Sequence, residues 1–171
     1  MFFCNYLRRR ALRNSLSKVP TAIIPITDIR SATVLLDASD PACEACTKAV
    51  QAYFKSVNVK VRIIYVYLEK LEKDATPPVD RNFTLLRRDL DWCGRPSLSK
   101  LSLIFGPETD LFISLEGKNT YQAEFIASCI PARFKVGRFH LTVYDVVCDG
   151  TESLTQTEVF RSIEDLFTKI K

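Results

Sequence analysis

DLFISLEGKNTYQAEFIASCIPARFKVGR, residues 110–138, decides how the rest of the chain is read. Leu111, Phe112, Ile113 and Leu115 form a short apolar run broken only by Ser114, so the segment can be buried on both faces, as a central parallel strand must be. Residues 116–120 carry turn chemistry, and Asn119 or Thr120 can accept a hydrogen bond from the first free N–H groups of a following helix. In that helix Tyr121, Phe125, Ile126, Cys129 and Ile130 make one apolar stripe, with Gln122 and Glu124 turned outward. Pro131 stops it, having no N–H to donate. Residues 132–137 then alternate with period two, the pattern of a strand with one wet face, which places it near a sheet edge. Strand, helix and strand in this order are the unit of a parallel α/β sheet.

The flanking sequence extends the same unit in both directions. SATVLLD at 31–37 is a strong strand that ends in Ala38-Ser39-Asp40-Pro41. Asp40 can cap and Pro41 suits a first helical position, which predicts a helix over 41–57 with Ala45, Ala49, Tyr53 and Val57 on its inner face. VKVRIIYVYL at 59–68 is rich in β-branched and aromatic residues and makes a second strand, completing a βαβ unit. Residues 69–80, with Pro77-Pro78, read as a loop, and 82–86 as a short strand. The serines of 97–105 fit helix or strand, but a crossover back to a parallel strand at Leu111 requires a helix. A last strand is predicted over 141–147. Thr155 and Glu158 form a capping box for a final helix whose stripe is Phe160, Ile163, Leu166, Phe167 and Ile170. The expected fold is a three-layer α/β/α, Rossmann-like domain over 19–171, with a mainly parallel sheet of five to six strands, preceded by a basic amphipathic helix over 1–18.

At 171 residues with 47% apolar side chains, one domain can bury a full core. No run approaches the roughly 18 apolar residues that cross a bilayer. FFCNYL is shorter than a signal-peptide core and precedes its charges, so a cytoplasmic protein with six reduced cysteines is expected. The net charge of +4 is uneven: residues 1–18 hold five cations and no acid, leaving the remainder one charge negative. A near-neutral body argues against a nucleic-acid protein with a wholly positive face. The arm sets Phe2, Phe3, Tyr6 and Leu7 on one side and wraps Arg8, Arg9, Arg10 and Arg13 around the other. Three readings stand: the aromatic side packs on the domain or on a second copy in a homo-dimer, the helix attaches peripherally to anionic membrane, or its arginines contact RNA.

In order and spacing, the basic N-terminal helix, ATVLLDAS, DLDWCGRP, DLFISLE, AEFIASCIPARFKVGR, YDVV and the C-terminal helix resemble a family of short bacterial α/β proteins that is a domain of unknown function. The resemblance covers nearly the whole chain and implies a fold without an activity. Ser114 stands where that family's strand is expected to carry an acid, and the Cys43/Cys46 pair is not one of its features. The DLFISL to FKVGR segment is also similar to the N-terminal Rossmann-like half of heptosyltransferase-type glycosyltransferases, whose nucleotide-sugar half is absent here.

Few residues carry recognisable chemistry. Cys43 and Cys46 sit at a helix start after a strand, where the helix dipole lowers a thiol pKa as in thioredoxins. No aromatic-Gly pair precedes them, the best candidate for the facing cis-proline, Pro96, sits in a weakly defined segment, and an incidental pair of helix cysteines is the plainer reading. A zinc site would lack a second cysteine pair. His140 is the single histidine and has no nucleophile motif beside it. The five glycines are scattered singly, which removes both the P-loop and the dinucleotide fingerprint. What remains is positional: ligands bind a doubly wound sheet at the carboxyl ends of its strands. That edge should present Asp37, Ser39 and Asp40 after the first strand, and Glu116, Lys118 and Asn119 after the central one, with Trp92 as a wall. The plain alternative is that Asp40 and Asn119 cap helices and the others are solvated. The expectation is a non-catalytic binding module for a protein or small molecule, without metal or cofactor. The alternatives are a thiol-disulfide oxidoreductase using Cys43 and Cys46, and a degenerate glycosyltransferase-like half that holds an acceptor.

Overall fold

The sheet can be followed outward from its most apolar strands in the computed structural model, which describes residues 2–71, 77–148 and 153–170. After the N-terminal helix α1 (Phe2–Asn14), the chain forms β1 (Ser31–Asp37), α2 (Cys43–Ser56), β2 (Lys60–Tyr67), β3 (Thr84–Leu86), α3 (Leu98–Phe105), β4 (Thr109–Ser114), α4 (Tyr121–Cys129), β5 (Ala132–Gly137), β6 (Val146–Val147) and α5 (Gln156–Lys169). The strands make one six-stranded sheet in the order β3-β2-β1-β4-β5-β6, and every neighbouring pair is parallel. The sheet is therefore Rossmann-like, as expected. The strand order reverses between β1 and β4, where Ala32 pairs with Leu111 and Leu35 with Ser114.

Period-two alternation divides the buried side chains between two layers. Val34, Leu36, Leu111 and Ile113 face α2 and α5. Leu35 and Phe112 face the opposite layer with Leu101 and Ile104 of α3 and Phe125 and Ile126 of α4. Burying both faces of β1 and β4 accounts for their unbroken apolar runs. The turn chemistry around α4 and α5 behaves as read. Thr120 accepts from the Ala123 N–H, and Thr155 and Glu158 make a reciprocal capping box. No helix among the described residues is long and apolar enough to cross a membrane.

Several local expectations change. The α-helix after β1 begins at Cys43, because Asp40 and Pro41 lie in a preceding turn where the Asp40 carboxylate accepts the Ala42 N–H. Its fully buried face is Cys43, Cys46, Val50 and Phe54; of the predicted stripe, Ala49, Tyr53 and Val57 are partly buried against the same core and Ala45 is exposed. β5 has no wet face: only Arg133 is exposed, while Lys135 is buried and its ammonium donates to the Ala127 carbonyl at 2.6 Å. β6 is reduced to two residues, because the segment before it folds back to pair Asp145 with the backbone of Lys135.

α1 is turned the other way round. Phe3 and Tyr6 are 64% and 55% exposed, whereas Arg8 faces the domain. The Arg8 Nε–H donates to the Cys93 carbonyl at 2.6 Å, and its guanidinium lies 4.9 Å from the Tyr121 ring centroid. Tyr121 returns a hydrogen bond to the Arg8 carbonyl at 3.3 Å. Ala11 and Leu12 pack against the α3/α4 layer. Gln122, expected outward, donates to the Gly94 carbonyl at 2.8 Å beneath this helix. Cys4 and Cys93 form a disulfide with Cα atoms 5.4 Å apart, which corrects the expectation of six reduced thiols. The side chain of Phe2, placed on the aromatic side in the sequence reading, lies outside the described residues.

Candidate functional site

The carboxyl edge is built from short polar turns at the ends of buried strands. Where β1 ends, one Asp37 oxygen accepts both the N–H and the hydroxyl of Ser39, at 2.8 and 2.6 Å. The next turn is closed by Asp40 on the Ala42 N–H at 2.7 Å. These bonds fold the chain tightly from β1 into α2. Between that turn, the first turns of α2, the side chain of Tyr65 in β2 and the Pro78-Val79 segment lies a cavity of about 480 Å³.

Ser39, Asp40, Glu44, Thr47 and Tyr65 supply the polar part of its wall, and among the described residues no lysine or arginine lines it. The Thr47 and Tyr65 hydroxyls are 3.2 Å apart. Glu44 lies at the rim, bridged to Lys48 at 2.6 Å, which holds its carboxyl below the usual range. Cys43 also lines the cavity, but burial pushes its thiol up to about 11, with Asp37 and Asp40 adding to the effect and a Thr47 hydrogen bond opposing it. Cys46 is fully buried and its thiol is pushed up to about 12, again first by burial. That is the reverse of an activated thiol at a helix N-terminus.

The neighbouring crevice, at the reversal between β1 and β4, is filled by the protein itself. Gln156, fully buried at the start of α5, accepts from the Asp37 N–H at 2.8 Å and donates to the Asp37 carbonyl at 3.0 Å. Glu116 is only 4% exposed and receives the Thr120 hydroxyl at 3.0 Å. Burial pushes its carboxyl up to about 8, the Thr120 bond works against the shift, and Asp37 adds to it. Arg138, at the end of β5 and 2% exposed, donates to the Leu154 carbonyl at 2.5 Å. Tyr144 closes over the Ser114 hydroxyl, and burial raises its phenol to about 12. Its ring lies where a Cβ on Gly137 would meet it at 2.1 Å, so only glycine fits there.

Of the residues assigned to this edge from sequence, Asp37, Ser39 and Asp40 come together beside the cavity. Glu116 is close enough to Asp37 to feel its charge but sits inside the plug. Lys118 and Asn119 are exposed and do not line the cavity. Trp92 is 73% exposed and stacks on Phe3 at 6.3 Å, so it is a neighbour of α1 and not a wall of the crevice. Thr47, Tyr65, Gln156, Arg138 and Tyr144 were missed. Arg138 carries the signal that singled out Asp37 and Glu116, a polar residue at the carboxyl end of a buried strand. Thr47 and Tyr65 meet only through the packing of α2 on β2. Among the described residues, no group of three or more His, Cys, Asp or Glu side chains could hold a metal ion.

No curated protein and no solved structure matches the chain, and the glycosyltransferase likeness is not shown. A family model does match over residues 5–160, and the chain belongs to that family, DUF6913, a family of unknown function.

Proposed function

We propose that the chain is a non-catalytic binding module that takes a small hydroxylated or amine-bearing ligand in the cavity at the carboxyl ends of β1 and β2. The observation that carries this reading is the composition of the wall: the Asp40 and Glu44 carboxylates, three hydroxyls from Ser39, Thr47 and Tyr65, and no cation among the described residues that line it. Such a wall accepts hydrogen bonds from a donor-rich ligand and repels phosphate. A pair of hydroxyls already 3.2 Å apart can reorient to share a ligand hydroxyl without moving backbone. Against a thiol oxidoreductase stand the upward shifts of Cys43 and Cys46, which leave almost no thiolate at neutral pH. The acceptor-holding alternative makes the same demand on the wall, since a sugar acceptor is a hydroxylated ligand.

Saturation-transfer NMR against free sugars, polyols, polyamines and phosphosugars tests the reading. Uncharged or cationic members should bind and phosphosugars should not. Tyr65→Phe, which removes one hydroxyl, should weaken binding about fivefold, the equivalent of one lost hydrogen bond of about 1 kcal/mol. Preference for phosphosugars, or affinity unchanged in Tyr65→Phe, would overturn it.

A further inference from the structure

We infer that the α1/α3 face of the molecule docks on an anionic phospholipid surface. This goes beyond the ligand cavity, which lies on another part of the molecule. Eight large apolar side chains are exposed among the described residues. Six of them, Phe3, Tyr6, Leu16, Trp92, Leu98 and Leu103, belong to α1 and its exit, to α3, or to the turn leading into α3. Exposed apolar groups gathered on one face mark an interaction surface, where singly scattered ones would not.

The same face carries the charge that selects the partner. Arg9, Arg10 and Arg13 of α1 are exposed, and the first 18 residues contain no acid. Between α1 and α3 lies a cavity of about 720 Å³ lined by Arg88 and Lys100, with Leu98 and Leu103 on its apolar side. Of the two acids that line it, Asp91 is ion-paired with Arg95 at 2.6 Å, and Asp89 is turned to the Leu86 N–H at 2.9 Å. Aromatic rings beside arginines, on a short helix lying along the surface, are the pattern of interfacial anchoring to anionic lipid.

The helix is also held so that these rings cannot turn inward. Arg8 occupies the domain side through Cys93 and Tyr121, and the Cys4–Cys93 disulfide fixes the N-terminal turn next to Trp92. A second copy of the chain is a poorer occupant, because a symmetric interface would set one cationic helix against another. RNA is poorer too, since the leucines at 75% and 59% exposure on α3 offer it nothing.

Trp92 is the only tryptophan in the chain, so its fluorescence reports on this face alone. The intact, oxidised protein is mixed with phosphatidylglycerol/phosphatidylcholine vesicles and, separately, with pure phosphatidylcholine. With the anionic vesicles Trp92 emission should shift to the blue, brominated acyl chains should quench it, and high salt should reverse both. Arg9→Gln/Arg10→Gln/Arg13→Gln should reduce vesicle partitioning at least tenfold, and so should Phe3→Ser/Tyr6→Ser, without lowering the melting temperature. The proposal is overturned if Trp92 emission is unchanged by anionic vesicles. It is equally overturned if the triple arginine variant partitions like the parent, if oligouridylate binds where vesicles do not, or if a blue shift appears on self-association without lipid.

Discussion

Gln156 grips Asp37 by both backbone groups, its amide oxygen taking the N–H at 2.8 Å and its amide nitrogen donating to the carbonyl at 3.0 Å. A side chain at the start of the last helix thereby supplies the bonds that a further strand residue would have made at the end of β1. Gln156→Leu keeps the volume and removes both bonds, leaving a buried donor and acceptor unsatisfied. The expected cost is about 2–4 kcal/mol, read as a lower urea midpoint at unchanged m-value.

Glu116 makes stability depend on pH in a direction opposite to that of most carboxylates. Its folded pKa of about 8 lies above the ordinary 4.5. Below pH 4.5 it is neutral in both states and carries no penalty. As pH rises from 4.5 to 8 the unfolded chain ionises first, so the folded state loses relative stability, and the loss is complete above pH 8. The total is up to about 5 kcal/mol. Urea midpoints measured across this window should fall with rising pH in the parent by more than in Glu116→Gln, which lacks this contribution. Parallel slopes in the two proteins would contradict the assignment.

Cys43 should be a slow nucleophile despite lining an open cavity. A thiol near 11 instead of 9 holds about a hundredfold less thiolate at pH 8, and the greater nucleophilicity of the more basic thiolate recovers part of this, so iodoacetamide should alkylate it about ten times more slowly than an unperturbed cysteine. Mass spectrometry of a time course at pH 8 reads this directly. Rapid labelling of Cys43 would reopen redox chemistry at this site.

The Cys4–Cys93 bond joins residues 89 apart in sequence. Chain-entropy arguments give a closure of this length up to about 4.6 kcal/mol, and disulfides typically contribute about 2–4 kcal/mol. Cys4→Ser/Cys93→Ser should lose that much and exchange the amide protons of residues 5–14 faster. The Arg8 contacts to Cys93 and Tyr121 should still keep the helix docked. Hydrogen exchange with mass detection separates loosening of α1 from destabilisation of the sheet.

What could be read in advance was whatever is set by local periodicity. Leu111 to Ile113 announce a strand buried on both faces. Thr155 and Glu158 announce a helix start, and both appear as read. Lys135 misled because a lysine in an alternating strand normally points to water. Here the α4 C-terminus offers its ammonium the Ala127 carbonyl, and burial lowers its pKa to about 8. Arg8 misled in the same way: four arginines on a short helix look alike in sequence, and only the placement of Tyr121 and Cys93 decides which one turns inward. The edge carboxylates Asp37 and Asp40 could be found because one ends β1 and the other lies in the turn after it. Thr47 and Tyr65 could not, since their approach depends on how α2 rests against the sheet.

The position of β1 in the middle of the sheet, with β2 on one side and β4 on the other, bears on how the protein is made. On a ribosome, the half comprising β1, α2, β2 and β3 emerges first. Its innermost strand then shows a bare, apolar rim until residues near 110 arrive to cover it. Chains stalled or cleaved between α3 and β4 should therefore be the sticky species in its production, and those a chaperone would have to shield.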